Sequence, residues 1–297
     1  MAEPTLLEDA RSLSGTLEPE PFKTQLLKWI GNKQRMGHLI GAFFPADYGT
    51  YFEPFLGSAG VLGVLAPEKA FASDLFGPLI EIWQTLQTDQ PLLCKWYSDR
   101  WEQYFHAEDR VLAYELIKAN YNSNPNPADL LFLSRSCYGG VVRFRKDGHM
   151  STPSGPHRPI SPESFTSRAT EWAARTSGVT FMNMDFREAM DRAVSGDVIY
   201  CDPPYTDTQS ILYGAQAFSL PDLMEHIHLA KRRGVKVALS IDGTKKSGAK
   251  KISLPIPEGL FEREAIINVG RSMLRRFQMD GLSLEGEVVT DRLLLTW

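Results

Sequence analysis

The sequence predicts an α/β fold, a doubly wound domain around a parallel sheet, and three observations carry that expectation. Short β-rich runs bounded by Gly, Asp or Pro recur at residues 50–53, 70–73, 179–184, 197–201 and 235–241. Amphipathic stretches at 26–43, 78–87 and 220–233 lie between several of them, and in the last Leu223, Ile227 and Ala230 recur at helical spacing. Such alternation builds a parallel sheet covered by helices. It breaks once, over residues 89–177, where aromatic-rich helical sequence gives way to Pro125 and Pro127 and then to a basic, Gly-containing stretch. That interval reads as a module inserted between the two halves of one domain, 22–88 and 178–297.

The first 21 residues are polar, acidic and punctuated by Pro4, Pro19 and Pro21, the pattern of a flexible arm with little to bury. Arg11 there faces Glu3, Glu8, Asp9, Glu18 and Glu20. The arm therefore accounts for the whole net charge of −4, and the body is neutral. Two basic stretches stand out within it, eight Lys and Arg against Asp242 in 231–251, and Arg135, Arg143, Arg145, Lys146 and Arg158 against Asp147 in 131–160. Such stretches permit a phosphate partner, and as often are solvated faces. No uncharged apolar run approaches the ~20 residues that cross a bilayer, and no basic-then-apolar leader opens the chain, so a cytoplasmic protein without membrane contact is expected. Cys94, Cys137 and Cys201 form no CxxC pair and the histidines are scattered, so neither disulfides nor a metal site is expected.

Three motifs carry chemistry. Phe52-Glu53-Pro54-Phe55-Leu56-Gly57-Ser58-Ala59-Gly60-Val61 follows a predicted strand and precedes a predicted helix. Its glycines let the backbone turn tightly beside a ligand, although the spacing is not the GxGxxG of a dinucleotide site. Asp74 ends the next strand, where an acid accepts from ribose hydroxyls or caps the helix that follows. Asp185 and Phe186 follow a later strand, offering an acceptor and a ring to an adenine, or a helix cap and a core aromatic. The strongest signal is Asp202-Pro203-Pro204-Tyr205 after the apolar Val198-Ile199-Tyr200. Two prolines fix two φ angles and restrict the residue before each, so the acid is held in one orientation beside an aromatic face. Such an acceptor can orient an exocyclic amine, a weak nucleophile, for attack on a methyl group.

These motifs, in this order, resemble the adenine-N6 DNA methyltransferases of the Dam-like class, also called the D12 or alpha group. The resemblance covers most of 22–297, starting at Leu27-Lys28-Trp29-Ile30-Gly31-Asn32-Lys33, which is similar to the family's K-W-x-G-x-K. It implies a Rossmann-like S-adenosylmethionine-dependent methyltransferase domain with an inserted, mostly helical target-recognition domain carrying a β-hairpin at 131–155. By resemblance, Trp29, Lys33, Phe55, Gly57, Asp74, Asp185, Phe186 and Asp202 surround the cofactor. Asp202, Pro203, Pro204 and Tyr205 form the catalytic motif, and Lys28, Arg135 and Arg143 face DNA. Gly139 and Val141 stand where members reading GATC carry Asn and Leu, so that target does not carry over.

The expected activity is methyl transfer to a flipped adenine in duplex DNA, with a cognate restriction endonuclease as an additional expected partner. An RNA adenine substrate and a catalytically silent DNA-binding homologue are the alternatives. Methylation of a glutamine amide is disfavoured, because such enzymes carry Asn where this chain has Asp202.

Overall fold

The computed structural model describes residues 15–204, 218–242, 244–245, 250–251, 256–270 and 289–297. In chain order the N-terminal half gives α1 (Gly37–Gly41), β1 (Tyr51–Glu53), α2 (Gly60–Leu65), β2 (Ala70–Asp74) and α3 (Gly77–Thr88). Four helices follow, α4 (Gln90–Phe105), α5 (Arg110–Ser123), α6 (Pro127–Ser136) and α7 (Pro162–Arg175). The chain then returns to β3 (Val179–Asn183), α8 (Phe186–Asp191), β4 (Val198–Cys201), α9 (Leu220–Arg232) and β5 (Lys236–Asp242). A small hairpin of β6 (Thr244–Lys245) and β7 (Lys250–Lys251) precedes the last strands, β8 (Arg263–Gly270) and β9 (Val289–Leu295).

Seven strands form one sheet in the order β3-β2-β1-β4-β5-β9-β8. The first five are parallel, while β9 runs antiparallel to both its neighbours. β4 is buried along its whole length, which is why its sequence is a continuous apolar run rather than an alternation. The chain order reverses between β1 and β4, the place where an open α/β sheet forms a crevice at the carboxyl ends of its strands. This Rossmann-like arrangement brings Glu53, at the end of β1, and Asp202, just beyond β4, to the same edge.

The four helices α4 to α7 start where short polar side chains can satisfy free backbone donors. Asp89, Asp109, Asn126 and Ser161 each accept from N–H groups in the first turn of α4, α5, α6 and α7. Proline occupies the first turn of three of them, so Pro127 opens a helix instead of merely ending one. These helices share a hydrophobic core with the sheet. Trp83 of α3 packs against Trp172 of α7 at 5.1 Å and stacks on Phe181 of β3 at 5.7 Å, and Tyr97 of α4 stacks on Phe165 of α7 at 4.2 Å.

Three expectations need correction. Residues 26–43 form no continuous amphipathic helix: a 3-10 turn at Gln34–Met36 leads into the five-residue α1. Gly31 takes a φ of 75°, and the Asn32 side chain accepts from the Gln34 amide at 2.7 Å, so the chain turns where a helix would have to continue. The hairpin expected at 131–155 is shorter, since 131–136 complete α6; antiparallel bridges join Cys137 to Ser154 and Phe144 to Met150. Finally, the end of the arm is docked: Leu17 donates its amide to the Phe44 carbonyl at 3.0 Å, and Ala46 to that of Gly15 at 2.7 Å. Residues 1–14 lie outside the described residues. Among those described, no helix is long and apolar enough to cross a membrane.

A close approach between α2 and α7 yields a stability test. A Cβ added at Gly63 of α2 would meet the Trp172 ring at 2.3 Å. Gly63→Ala is expected to destabilise the fold by about 1–3 kcal/mol through overpacking. Urea unfolding followed by tryptophan fluorescence measures it, and an unchanged midpoint would contradict this packing.

Candidate active site

A cavity of about 330 Å³ opens at the carboxyl ends of β1, β2 and β4. That size falls within the range of small-molecule and cofactor sites. Its wall brings together Trp29, Lys33, Phe55, Gly57, Asp74, Asp185, Phe186 and Asp202, the full set expected around the cofactor, together with Pro204. Tyr205 lies outside the described residues.

The glycine turn is held from both sides. Gly57 has a φ of 48°, a region that favours glycine, and a Cβ there would sit 3.3 Å from Trp29 Cδ1. Its amide donates to Asp74 Oδ2 at 3.0 Å, and its carbonyl accepts from Trp83 Nε1 at 3.2 Å. At Gly60 a Cβ would lie 2.8 Å from Asn32 Oδ1, so two backbones close tightly around this corner. Asp74 Oδ1 accepts from the Phe76 amide at 3.0 Å. Asp74 is therefore a turn acceptor rather than the cap of α3, whose cap position is Phe76. Burial raises its pKa, while the donated amides of Gly57, Phe76 and Leu75 pull the other way.

Asp185 does cap α8, accepting from the Arg187 amide at 2.9 Å, and it also lines the cavity. Its carboxylate is paired with the Arg187 guanidinium at 3.1 Å, and Arg187 reaches across to Asp222 of α9. Phe186 is buried and stacks on Phe55 with ring centroids 5.2 Å apart, while Phe218 meets Phe55 edge-on at 5.9 Å. The result is an apolar slot beside two acids.

At the other end, Asp202 Oδ1 lies 3.1 Å from Lys33 Nζ, which is also 3.2 Å from Asp291 Oδ2 of β9. Burial opposes a charge on Lys33, yet the Asp202 and Asp291 carboxylates hold its pKa above the ordinary lysine range. Next to them Glu53 Oε2 accepts from the Tyr51 hydroxyl at 2.7 Å and from the Leu62 amide, at the start of α2, at 3.0 Å. Burial pushes the Glu53 carboxyl up to about 8; the Tyr51 and Leu62 hydrogen bonds work against this, and the Asp202 charge adds to it.

The residues assigned to DNA divide. Lys28 and Arg143 are exposed, Arg143 on the outer face of the hairpin beside Arg145. Arg135 corrects the expectation, because it is buried and its guanidinium donates to the carbonyls of Gln25 and Leu26 at 3.0 and 2.8 Å. It ties α6 to the N-terminal segment instead of facing a nucleic acid. Several wall residues had been given no role: Glu53, Asn32, Phe76, Phe144 and Phe218, with Asp291 behind Lys33. The available signals were Glu53 at a strand end and Asp291 as an acid on the Leu293-Leu295 face of an apolar strand.

Residues 29–269 match the family described as D12 class N6 adenine-specific DNA methyltransferase. The chain is 31% identical over 192 residues to the retron Ec67 DNA adenine methylase of Escherichia coli, a match covering 62% of this chain and 65% of that protein. It is 26% identical over 220 residues to the DNA adenine methylase of Serratia marcescens, covering 71% and 78%. The modification methylase StsI of Streptococcus sanguinis is 27% identical over 228 residues, 72% of this chain but only 34% of that longer protein.

Glu53 gives the site a pH signature. A carboxyl whose folded pKa of about 8 exceeds the ordinary 4.5 keeps its proton longer in the folded state. Its stabilising contribution is complete below the unfolded value and is lost as the pH rises through 8. Glu53→Gln, which cannot ionise, is expected to remove that loss, worth roughly 5 kcal/mol at about 1.4 kcal/mol per pH unit. Denaturant midpoints of both proteins at acid and mildly alkaline pH check it; parallel pH profiles would show that Glu53 titrates normally.

Proposed function

The chain belongs to the D12 class N6 adenine-specific DNA methyltransferase family, and we propose that it transfers a methyl group from S-adenosylmethionine to the N6 amine of an adenine flipped out of duplex DNA. The observation that carries this reading is the position of Asp202: at the head of a two-proline turn, it shares one cavity with Asp74 and the Phe55–Phe186 slot.

The residues present fit the cofactor. Asp74 is an acceptor suited to ribose hydroxyls, and its own backbone donors already fix its orientation. Phe55 and Phe186 offer an apolar face to an adenine, with Asp185 as a polar neighbour. With Asp185 paired to Arg187, Asp74 and Asp202, with Asp291 behind, still outnumber Lys33, which suits a ligand carrying positive charge. S-adenosylmethionine, when bound, supplies an electrophilic methyl group on a sulfonium centre.

The chain's own contribution is orientation and electrostatics. Asp202 accepts from the N6 amine and stabilises the positive charge that develops on nitrogen as it attacks. Pro203 and Pro204 keep the acceptor from relaxing, and Tyr205 stacks on the base. A paired adenine cannot reach the cavity, so the base must leave the stack at a cost of a few kcal/mol, offset by phosphate contacts and stacking. Lys28 and the outer face of the hairpin meet the duplex, with the Arg143 fork matched to a guanine edge. We further propose a cytoplasmic setting and, from the likeness to a modification methylase, a restriction endonuclease acting at the same site.

Two variants test the assignment. Asp74→Ala removes a charged acceptor worth roughly 1.5–3 kcal/mol, so affinity for S-adenosylhomocysteine should fall accordingly while DNA binding persists. Calorimetric titration decides, and wild-type affinity in a folded variant sinks the ribose role. Asp202→Ala should slow single-turnover transfer by several orders of magnitude with the cofactor saturating and DNA affinity intact. Radiolabelled methyl transfer to plasmid DNA reads the outcome; a wild-type rate in the folded variant would refute the proposed function.

A further inference from the structure

We propose that Asp291 is a positioning residue for the transfer step: it draws the Lys33 ammonium partly off Asp202, so that Asp202 keeps the negative charge it needs as an acceptor. The inference rests on the function proposed above. Its basis is the near-equal spacing around one cation, with Lys33 Nζ 3.1 Å from Asp202 Oδ1 and 3.2 Å from Asp291 Oδ2.

An ammonium has three donors and can serve two carboxylates at once. If Lys33 faced Asp202 alone, the pair would be neutral, and the lysine would quench the acceptor that has to meet a developing positive charge. A second carboxylate leaves the group with one net negative charge. Lys33 and Asp291 are each about 7% exposed and Asp202 17%, so little water competes for the cation. Glu53, an acid beside Asp202, accepts from the Tyr51 hydroxyl and the Leu62 amide.

The placement of Asp291 is costly unless it has a purpose. It lies in β9 opposite Asp242 of β5 and Ile267 of β8, on the strand face that continues through the fully buried Leu293 and Leu295. An apolar residue would hold that face together at least as well, because buried ion pairs are seldom better for stability than hydrophobic packing. The adjacent Arg292 pairs with Glu264 on the opposite face and takes no part in the cluster.

The test uses the full chain with Asp291→Asn and Asp291→Glu, measuring single-turnover transfer to duplex DNA at saturating S-adenosylmethionine, DNA affinity and melting temperature. Asp291→Asn is expected to slow transfer about tenfold or more with DNA affinity within about twofold, while Asp291→Glu, which retains the charge, recovers most of the rate. A folded Asn variant within about twofold of the wild-type rate overturns the proposal, as does a Glu variant as slow as the Asn one. Should the Asn variant fail to fold, Asp291→Glu alone decides, since a tenfold slower rate in it is incompatible with a role resting on charge. A wild-type protein that methylates no DNA adenine overturns the proposed function and this inference together; an active wild type matched by Asp291→Asn overturns the inference alone.

Discussion

One buried ammonium joins the parts of this molecule that are farthest apart in sequence. Lys33 comes from the N-terminal segment, Asp202 from the turn after β4, and Asp291 from the last strand. Removing the cation would leave two buried carboxylates facing each other, a change that typically costs several kcal/mol. Trp29 and Lys33 both line the cavity, and the chain between and just after them is irregular, with a positive φ at Gly31 and the Asn32 side chain accepting from the Gln34 amide.

Around that cation the site separates its acids by environment. Glu53, deep at the end of β1, is pushed toward a protonated state near neutral pH, whereas Asp202 lies 3.1 Å from the Lys33 ammonium. Two carboxyls in such different surroundings at one wall give the cavity a fixed charge pattern without requiring water to supply it. Asp74 is locked by two backbone amides into a single orientation, so little reordering is needed for the ribose contact proposed for it. The Gly57 bond, with that from the Leu56 amide to the Ser73 carbonyl at 3.0 Å, ties the glycine turn to β2, which makes this corner of the cavity part of the sheet's own framework.

Features encoded by local chemistry were legible in the sequence. The five parallel strands announce themselves as apolar runs ended by Gly, Asp or Pro, and Asp202-Pro203-Pro204 is rigid wherever it occurs. The eight residues that the family resemblance assigns to a cofactor all line the one cavity. What escaped depends on tertiary partners. Arg135 reads as one more basic residue in a basic stretch, and only the carbonyls of Gln25 and Leu26 show that it is internal. Asp291 stands 89 positions from Asp202 in the chain, and nothing in its neighbourhood records that β9 inserts antiparallel beside β5. The helical reading of 26–43 failed for the converse reason, since apolar residues at suitable spacing also suit an irregular segment pressed against a core.

The hairpin shows how one stretch can serve two surfaces. Phe144 is buried and lines the cavity, touching Phe76 at 5.3 Å, which in turn meets Trp29 at 6.1 Å. Arg143 and Arg145, on either side of it, point outward. Extended backbone alternates its side chains, so residues on the outer face can change without disturbing the inner one. The outward positions are thus free to vary, whereas Phe144 is constrained by the cavity wall it completes. A shift of the hairpin by one residue would exchange the two faces and put an arginine against Phe76. The Phe144–Met150 bridge and the hydrogen bond from the Ser151 amide to the Arg143 carbonyl, 2.9 Å long, hold it against that shift.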